Sequence, residues 1–291
     1  MKLGISSYSL QQEMNQGSMS MLDVMDWVKQ QGASHVEIVP LHVDLLDTPS
    51  LVHDIKEQAK ALNLALSNYA IGSNLLQQGD DLRKELDRIK AHVDIAHALG
   101  VKNMRFDVGF LSKEESTIIR FNKELPKIVS ACQEIADYAK RYPLTVTIEN
   151  HGYFVQHSDR IITILNQVNR DNFKLTLDVG NFLCADESPL LAVKKCLPYA
   201  SMIHLKDFYY RETGVALGEG FFETINNNQL RGAVTGHGDI PLRTIIGEIV
   251  ASDYDGDVSI EFEGIEPCLM ATQTALKLMT TYQQLEERSC E

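Results

Sequence analysis

Apolar residues along the chain recur in two alternating rhythms. Short runs rich in Val and Ile read as strands buried on both faces. Each is followed by a longer stretch whose apolar positions return every three or four residues, the period of an amphipathic helix. Strands are predicted over 2–6, 35–39, 65–69, 103–108, 144–150, 174–178, 202–206 and 258–263. The first helix is predicted over about 20–31, with Met21, Val24, Met25 and Val28 on one face and Gly32 as its stop. Thr48-Pro49 opens another, with Thr as cap and Pro in the first turn. A long helix ends at Leu99-Gly100. Ser112-Lys113-Glu114-Glu115 reads as a capping box for a helix reaching about Arg141, and a last helix runs over about 267–286.

Strands that alternate with helices form a parallel sheet, because parallel neighbours need crossover connections. Eight such units over 291 residues predict one closed (β/α)8 TIM barrel, an α/β fold, spanning residues 1–291 as a single domain. An open doubly wound sheet is the competitor, but no GxGxxG follows the first strand and no linker divides the chain. One connection is abnormal. Between the seventh strand and the helix opening near Pro241 lie about thirty residues rich in Gly and Asn, where a βα loop of 2–6 is typical. A long loop at the carboxyl end of a barrel strand belongs with an active site or its lid; a surface insertion or oligomer contact is the plainer reading.

Composition narrows the partners. The chain has 27 Lys+Arg against 40 Asp+Glu, a formal charge of −13, and 44% hydrophobic residues. That is enough apolar material for a core, and an excess of negative charge that repels phosphate backbones and anionic lipids. No run approaches the roughly 18 apolar residues of a membrane span. The opening MKLGISSYSL lacks the apolar region and cleavage site of a secretory leader. The 5 Cys are scattered without CxxC spacing, which reads as reduced thiols in a cytoplasmic protein. The expected partners include no nucleic acid and no membrane; a homodimer through outer helices is open.

Barrel enzymes place their chemistry at the carboxyl ends of strands. Four successive strands there end in polar groups: Ile148-Glu149-Asn150-His151, Leu177-Asp178, Ile203-His204-Leu205-Lys206-Asp207 and Ile260-Glu261-Phe262-Glu263. Side chains alternate between the barrel interior and the helix layer, and an unpaired carboxylate has no stable place under helices. The inward reading brings Glu149, Asp178, His204 and Glu261 around one point. Three carboxylates so close raise one another's pKa, and a divalent cation removes the conflict. Mixed oxygen and nitrogen donors suit Mn²⁺, Mg²⁺, Co²⁺ or Zn²⁺. Taken one at a time, each is as easily an ordinary strand-end polar residue.

TVTIEN, LTLDVGNF, MIHLKDF, GHGDIPL and SIEFEG, in this order, with KLGISSYSL at the start, resemble the xylose-isomerase-like TIM-barrel superfamily, which also holds endonuclease family 2. The resemblance covers essentially the whole chain. It implies one divalent metal held by Glu149, Asp178, His204 and Glu261. In the epimerase branch it implies that Glu149 and Glu261 also act as the acid/base pair, moving a proton alpha to a ketone through a metal-stabilised enediolate. The activity implied is a metal-dependent sugar or polyol isomerase or epimerase. His204-x-Lys206-Asp207 is similar to the inosose-dehydratase branch, so loss of water is the alternative; a non-catalytic sugar-binding barrel is a third reading. Endonuclease IV is disfavoured, because positions where it carries metal-binding His hold Asp107 and Asn181 here.

Lys206 points inward beyond His204 and is expected to hold a substrate oxygen or an enolate, or else to pair with Glu263 or Asp239. Asp207 faces outward and is expected to be structural. Glu37 either binds substrate hydroxyls or holds the neighbouring strand. Asn68, Arg105, Asn181 and His237 are further candidate substrate contacts, His42 is a mouth position, and Arg211 or Arg231 offers a clamp for an anionic group. Trp27 belongs to core or interface, and QQLEERSCE reads as a solvated helix end.

Overall fold

The computed structural model describes residues 1–212 and 214–290, and of Cys290 only the backbone. Thr213, in the long connection, and Glu291, in the acidic tail, lie outside the described residues. Eight parallel strands close on themselves: β1 (Lys2–Ser6), β2 (His35–Ile38), β3 (Ala65–Ile71), β4 (Asn103–Phe106), β5 (Thr145–Glu149), β6 (Phe173–Asp178), β7 (Ala200–Leu205) and, after three short strands numbered β8 to β10, β11 (Asp257–Ile260). The order round the barrel is β1-β11-β7-β6-β5-β4-β3-β2. The helices are α1 (Gln11–Asn15), α2 (Met21–Gln30), α3 (Pro49–Ala61), α4 (Gly79–Leu99), α5 (Ile118–Ala139), α6 (Gly152–Val155), α7 (Ser158–Val168), α8 (Pro189–Cys196), α9 (Leu242–Val250) and α10 (Cys268–Cys290). Among the described residues, no helix is long and apolar enough to cross a membrane.

Strand alternation divides two environments. Val146 and Ile148, Leu175 and Leu177, Ile203 and Leu205, and Val258 and Ile260 are wholly buried in the apolar cluster. Each such side chain contributes about 1.5–3 kcal/mol by leaving water. The intervening residues line a polar interior. Thr147 and Thr176 hydrogen-bond at 2.8 Å, and the His35 Nε2 lies 3.1 Å from Ser259 Oγ. Register sets Asp178 beside His204, and Ser259, two residues before Glu261, beside His204 on the other side.

Gly100 ends α4 as read, in the left-handed conformation at φ 82°, and Ser20, not singled out from the sequence, caps α2 in a reciprocal box with Asp23. Two other signals differ. Thr48 directs its hydroxyl to Asp44 O, at 2.8 Å, and does not cap α3. Ser112 organises only an isolated turn, its Oγ accepting from Glu115 N; α5 begins at Ile118, capped by Thr117. A second cap nearer the apolar stripe wins, since the helix starts where its packing face starts.

The long connection is not an open loop. β8 (Phe208–Arg211), β9 (Phe221–Glu223) and β10 (Gln229–Gly232) form an antiparallel sheet in the order β8-β10-β9. Asp186 pins it, accepting from Tyr210 Oη, Thr224 Oγ1, Asn226 N and Asn228 Nδ2 at 2.8–3.1 Å. Glu223 ties it to the preceding loops through Lys113 and the Tyr153 hydroxyl. Asp207, expected to be structural, roots it: its carboxylate accepts from the backbone N–H of Phe208, Gly236, Gly238 and Ile240. Four of the cysteines, Cys132, Cys184, Cys196 and Cys268, are buried free thiols.

Candidate metal centre

Glu149 at the end of β5, Asp178 at the end of β6, His204 on β7 and Glu261 just after β11 each offer a ligand atom, and these atoms lie within 4.8 Å of one another. All four side chains are buried. The imidazole is oriented. His204 Nε2 lies 2.9 Å from Glu37 Oε2, and Nδ1 faces Glu149 and Glu261 at 3.6 Å and Asp178 at 4.0 Å. Nδ1 and Asp178 Oδ2 make no hydrogen bond. A buried nitrogen without a hydrogen bond, facing three carboxylates, with its other nitrogen donating to a fourth, is the donor arrangement of a metal-binding histidine. The residues fit a divalent ion with mixed oxygen and nitrogen ligation.

Charge is unevenly shared. Burial pushes Asp178 up to about 7, helped by Glu149 and Glu261 and opposed by Lys206. Burial acts on Glu149 in the same direction, but Arg105 and His204 overcome it and hold that carboxyl well below the usual range. Arg105 Nε sits 2.8 Å from Glu149 Oε2, an ion pair without aligned hydrogen-bond geometry, and Arg105 Nη1 reaches Asp107 Oδ1 at 3.1 Å. Burial disfavours the charged His204 ring, yet Glu37 and Glu261 raise its pKa well above the ordinary value. A metal at Nδ1 requires the neutral ring, so loading would release that proton.

The other expected residues divide. Asn181 is at the cluster, its Nδ2 donating to Glu149 Oε1 at 3.1 Å. Lys206 points inward as expected, with Nζ 2.7 Å from Glu261, 3.1 Å from Glu263 and 3.3 Å from Asp178. Asp239 instead pairs with Arg211. Glu37 and Asn68 are fully buried behind His204 and joined at 2.7 Å, so they are not at the mouth. Arg211 is half exposed on β8 and pairs with Asp239, and Arg231 pairs with Glu266, so both are engaged by carboxylates outside the quartet. His237 is exposed, because the TGHGD turn uses its backbone to wrap Asp207 and leaves the imidazole outside. His42 is also exposed, against Asn15, and Trp27 packs partly buried on the core.

Two groups at the opening were missed as candidates. His151 Nδ1 lies 3.1 Å from Asp107 Oδ1, with its side chain 34% exposed. Burial lowers its pKa, but Asp107 and Glu149 raise it further, for a net rise. Glu263 lies outside Glu261 and accepts from Tyr8 Oη at 3.3 Å. The signal was the two-residue parity that places Lys206 beyond His204; it equally places His151 beyond Glu149 and Glu263 beyond Glu261.

Residues 25–282 match the family model described as xylose isomerase-like TIM barrel. The uncharacterized protein YihM of Escherichia coli (strain K12) is 23% identical over 57% of this chain, and the match spans 46% of that relative. Inosose dehydratase 1 of Bacillus cereus is 24% identical over 69% of the chain and 72% of its own length. Other Bacillus inosose dehydratases are matched over only about half their length, 48%. Among solved structures, a D-tagatose 3-epimerase-like protein superposes with a TM-score of 0.75 at 16% identity, covering 100% of both chains. A xylose isomerase-like TIM barrel protein from Mycobacterium smegmatis in complex with magnesium superposes at 0.66 and 17%, covering 90% and 89%.

Proposed function

Because this chain belongs to the xylose isomerase-like TIM barrel family, we propose that it is a divalent-metal-dependent sugar or polyol isomerase or epimerase. The observation that carries the reading is the buried quartet within 4.8 Å, with His204 Nδ1 making no hydrogen bond. Glu149, Asp178, His204 and Glu261 would hold the ion. Bound there, it would act as a Lewis acid that acidifies the proton alpha to a substrate carbonyl. Glu149 is kept ionised by Arg105 and can accept that proton. The Lys206 ammonium, 2.7 Å from Glu261, carries a proton that can be returned through that carboxylate. Asn181 and Arg105 position Glu149, and burial of the quartet excludes bulk water.

Incubation with Mn²⁺ and a panel of ketoses in D₂O tests the reading. Deuterium enters the carbon next to the carbonyl, and Glu261→Gln lowers exchange by about a hundredfold or more, the usual worth of a positioned acid or base. A broad panel without deuterium uptake, in protein shown to carry metal, would falsify it.

A second reading is favoured by one observation. His151, set against Asp107 at the opening, has a raised pKa and can give a proton to a departing hydroxyl. The same proton abstraction then ends in loss of water, the reaction named for the inosose dehydratase relatives. A conjugated product absorbing in the ultraviolet separates dehydration from epimerisation, whose product keeps every hydroxyl.

A further inference from the structure

Lys206 has no place in a minimal ligand set, yet its ammonium occupies the ligands' own space. Nζ lies 2.7 Å from Glu261 Oε2 and 3.3 Å from Asp178 Oδ2. Two of the four ligating side chains therefore already hold a cation, one supplied by the chain. A divalent ion taking the same oxygens meets a positive charge within a few ångströms, in surroundings where water screens little. The backbone there has little freedom to retreat, since Gly180 packs against Lys206 so closely that a Cβ would lie 2.9 Å from the Lys206 carbonyl oxygen. The long side chain can move.

It has somewhere to go. Glu263 Oε2 stands 3.1 Å from Nζ, on the outer side of Glu261. Glu263 is not in the quartet, and its side chain is 40% exposed against 5% for Glu261. Its other oxygen is fixed by the Tyr8 hydroxyl at 3.3 Å. Asn181 Oδ1 lies 3.4 Å from the same ammonium, so the lysine keeps a neutral acceptor as well.

We propose that Lys206 is a resident counter-cation of this centre, and that it gives up Asp178 and Glu261 to an entering divalent ion while Glu263 retains it. Without metal, the ammonium neutralises ligands that would otherwise repel one another inside the barrel. With metal, it stands beside the ion on a carboxylate of its own. The consequence is a lowered metal affinity. The inference rests on the metal reading above, and Lys206 acts here as a positioning residue.

The test is calorimetric titration of the full chain, stripped with chelator, with Mn²⁺ alone. Lys206→Met is expected to bind Mn²⁺ about tenfold more tightly, because one opposing charge is gone. Glu263→Gln is expected to bind about threefold or more weakly, because the lysine then has no carboxylate outside the ligand set. In the Lys206→Met background the Glu263→Gln loss shrinks markedly. A purely structural lysine predicts weaker binding in every variant, so opposite signs are diagnostic. Equal or weaker binding by folded Lys206→Met overturns the inference and leaves the metal reading standing. If Lys206→Met does not fold, the Glu263→Gln arm decides, and unchanged affinity there overturns it. Mn²⁺ binding by Lys206→Met but not by the natural chain supports it. No binding by any of them removes the metal reading and this inference together.

Discussion

Two buried imidazoles inside the same barrel behave in opposite ways. His204, at the carboxyl end, has its pKa raised well above the ordinary value; His35, at the amino end, has it lowered. Burial works against charge at both. Around His204 stand Glu37 at 2.9 Å and two further carboxylates at 3.6 Å, enough to reverse it. His35 has Asp257 at 3.7 Å and a neutral partner in Ser259, and burial prevails. Beyond Asp257 the amino end opens into a cavity of about 1100 Å³, lined by Lys2, Lys102 and Lys174 among others. Water can screen charges there. Around the quartet at the carboxyl end it cannot, because those four side chains are buried, so each charge must be answered by another side chain or by an ion. That cavity and the buried quartet thus lie at opposite ends of the barrel, and the candidate centre is marked by buried charge, not by open space.

The largest expected effect is at His204. His204→Ala removes the group that answers Glu37 and faces Glu149, Asp178 and Glu261. Leaving buried charges without their partner costs about 3–5 kcal/mol. Urea unfolding of the metal-free protein reads this directly, and the thermal shift on adding Mn²⁺ should vanish as well. A variant as stable as the natural chain would show that the carboxylates do not depend on the imidazole.

Much of this centre was legible because it depends on parity alone. Apolar Val146 and Ile148 fix the facing of β5, so Glu149 must point inward, and the same holds for Asp178, His204 and Glu261. Glu37 was legible as a strand-end carboxylate but not as the partner of His204, 167 residues away. That pairing depends on how β2 and β7 face each other across the closed barrel. The TGHGD turn misled for a related reason. Its glycines serve backbone hydrogen bonds to Asp207, and a search for side-chain ligands gives His237 the weight that belongs to Gly236 and Gly238. The sheet of β8, β9 and β10 was hidden because Gly- and Asn-rich composition marks turns without showing what pairs between them.

Gly4 sharpens the comparison at the amino end. A Cβ at this position would overlap the His35 ring. Unlike the crowded charges around His204, this crowding is purely steric. Gly4→Ala is expected to cost about 1–3 kcal/mol by overpacking. The loss should shrink in a His35→Ala background, because the new methyl then enters the space the ring leaves. Additive losses in the double variant would mean that Gly4 matters for another reason.

The smallest effect tests the opposite pKa directions themselves. His35 is held neutral in the folded chain, while the unfolded chain takes up a proton at about 6.5. Its contribution to stability is therefore fully present above about pH 6.5 and is lost as pH falls below that value toward the lowered folded pKa. In metal-free protein His204 carries the opposite sign: its contribution is complete below about pH 6.5 and fades as pH rises through its raised folded pKa. The two contributions overlap in any single stability curve, so the natural chain must be compared with His35→Gln, which keeps a polar partner for Ser259. Between about pH 7.5 and 5.5 the natural chain should lose more stability than His35→Gln, by urea midpoint, with His204 common to both. Parallel curves would mean that His35 titrates as in the unfolded chain and that Asp257 offsets the full cost of burial.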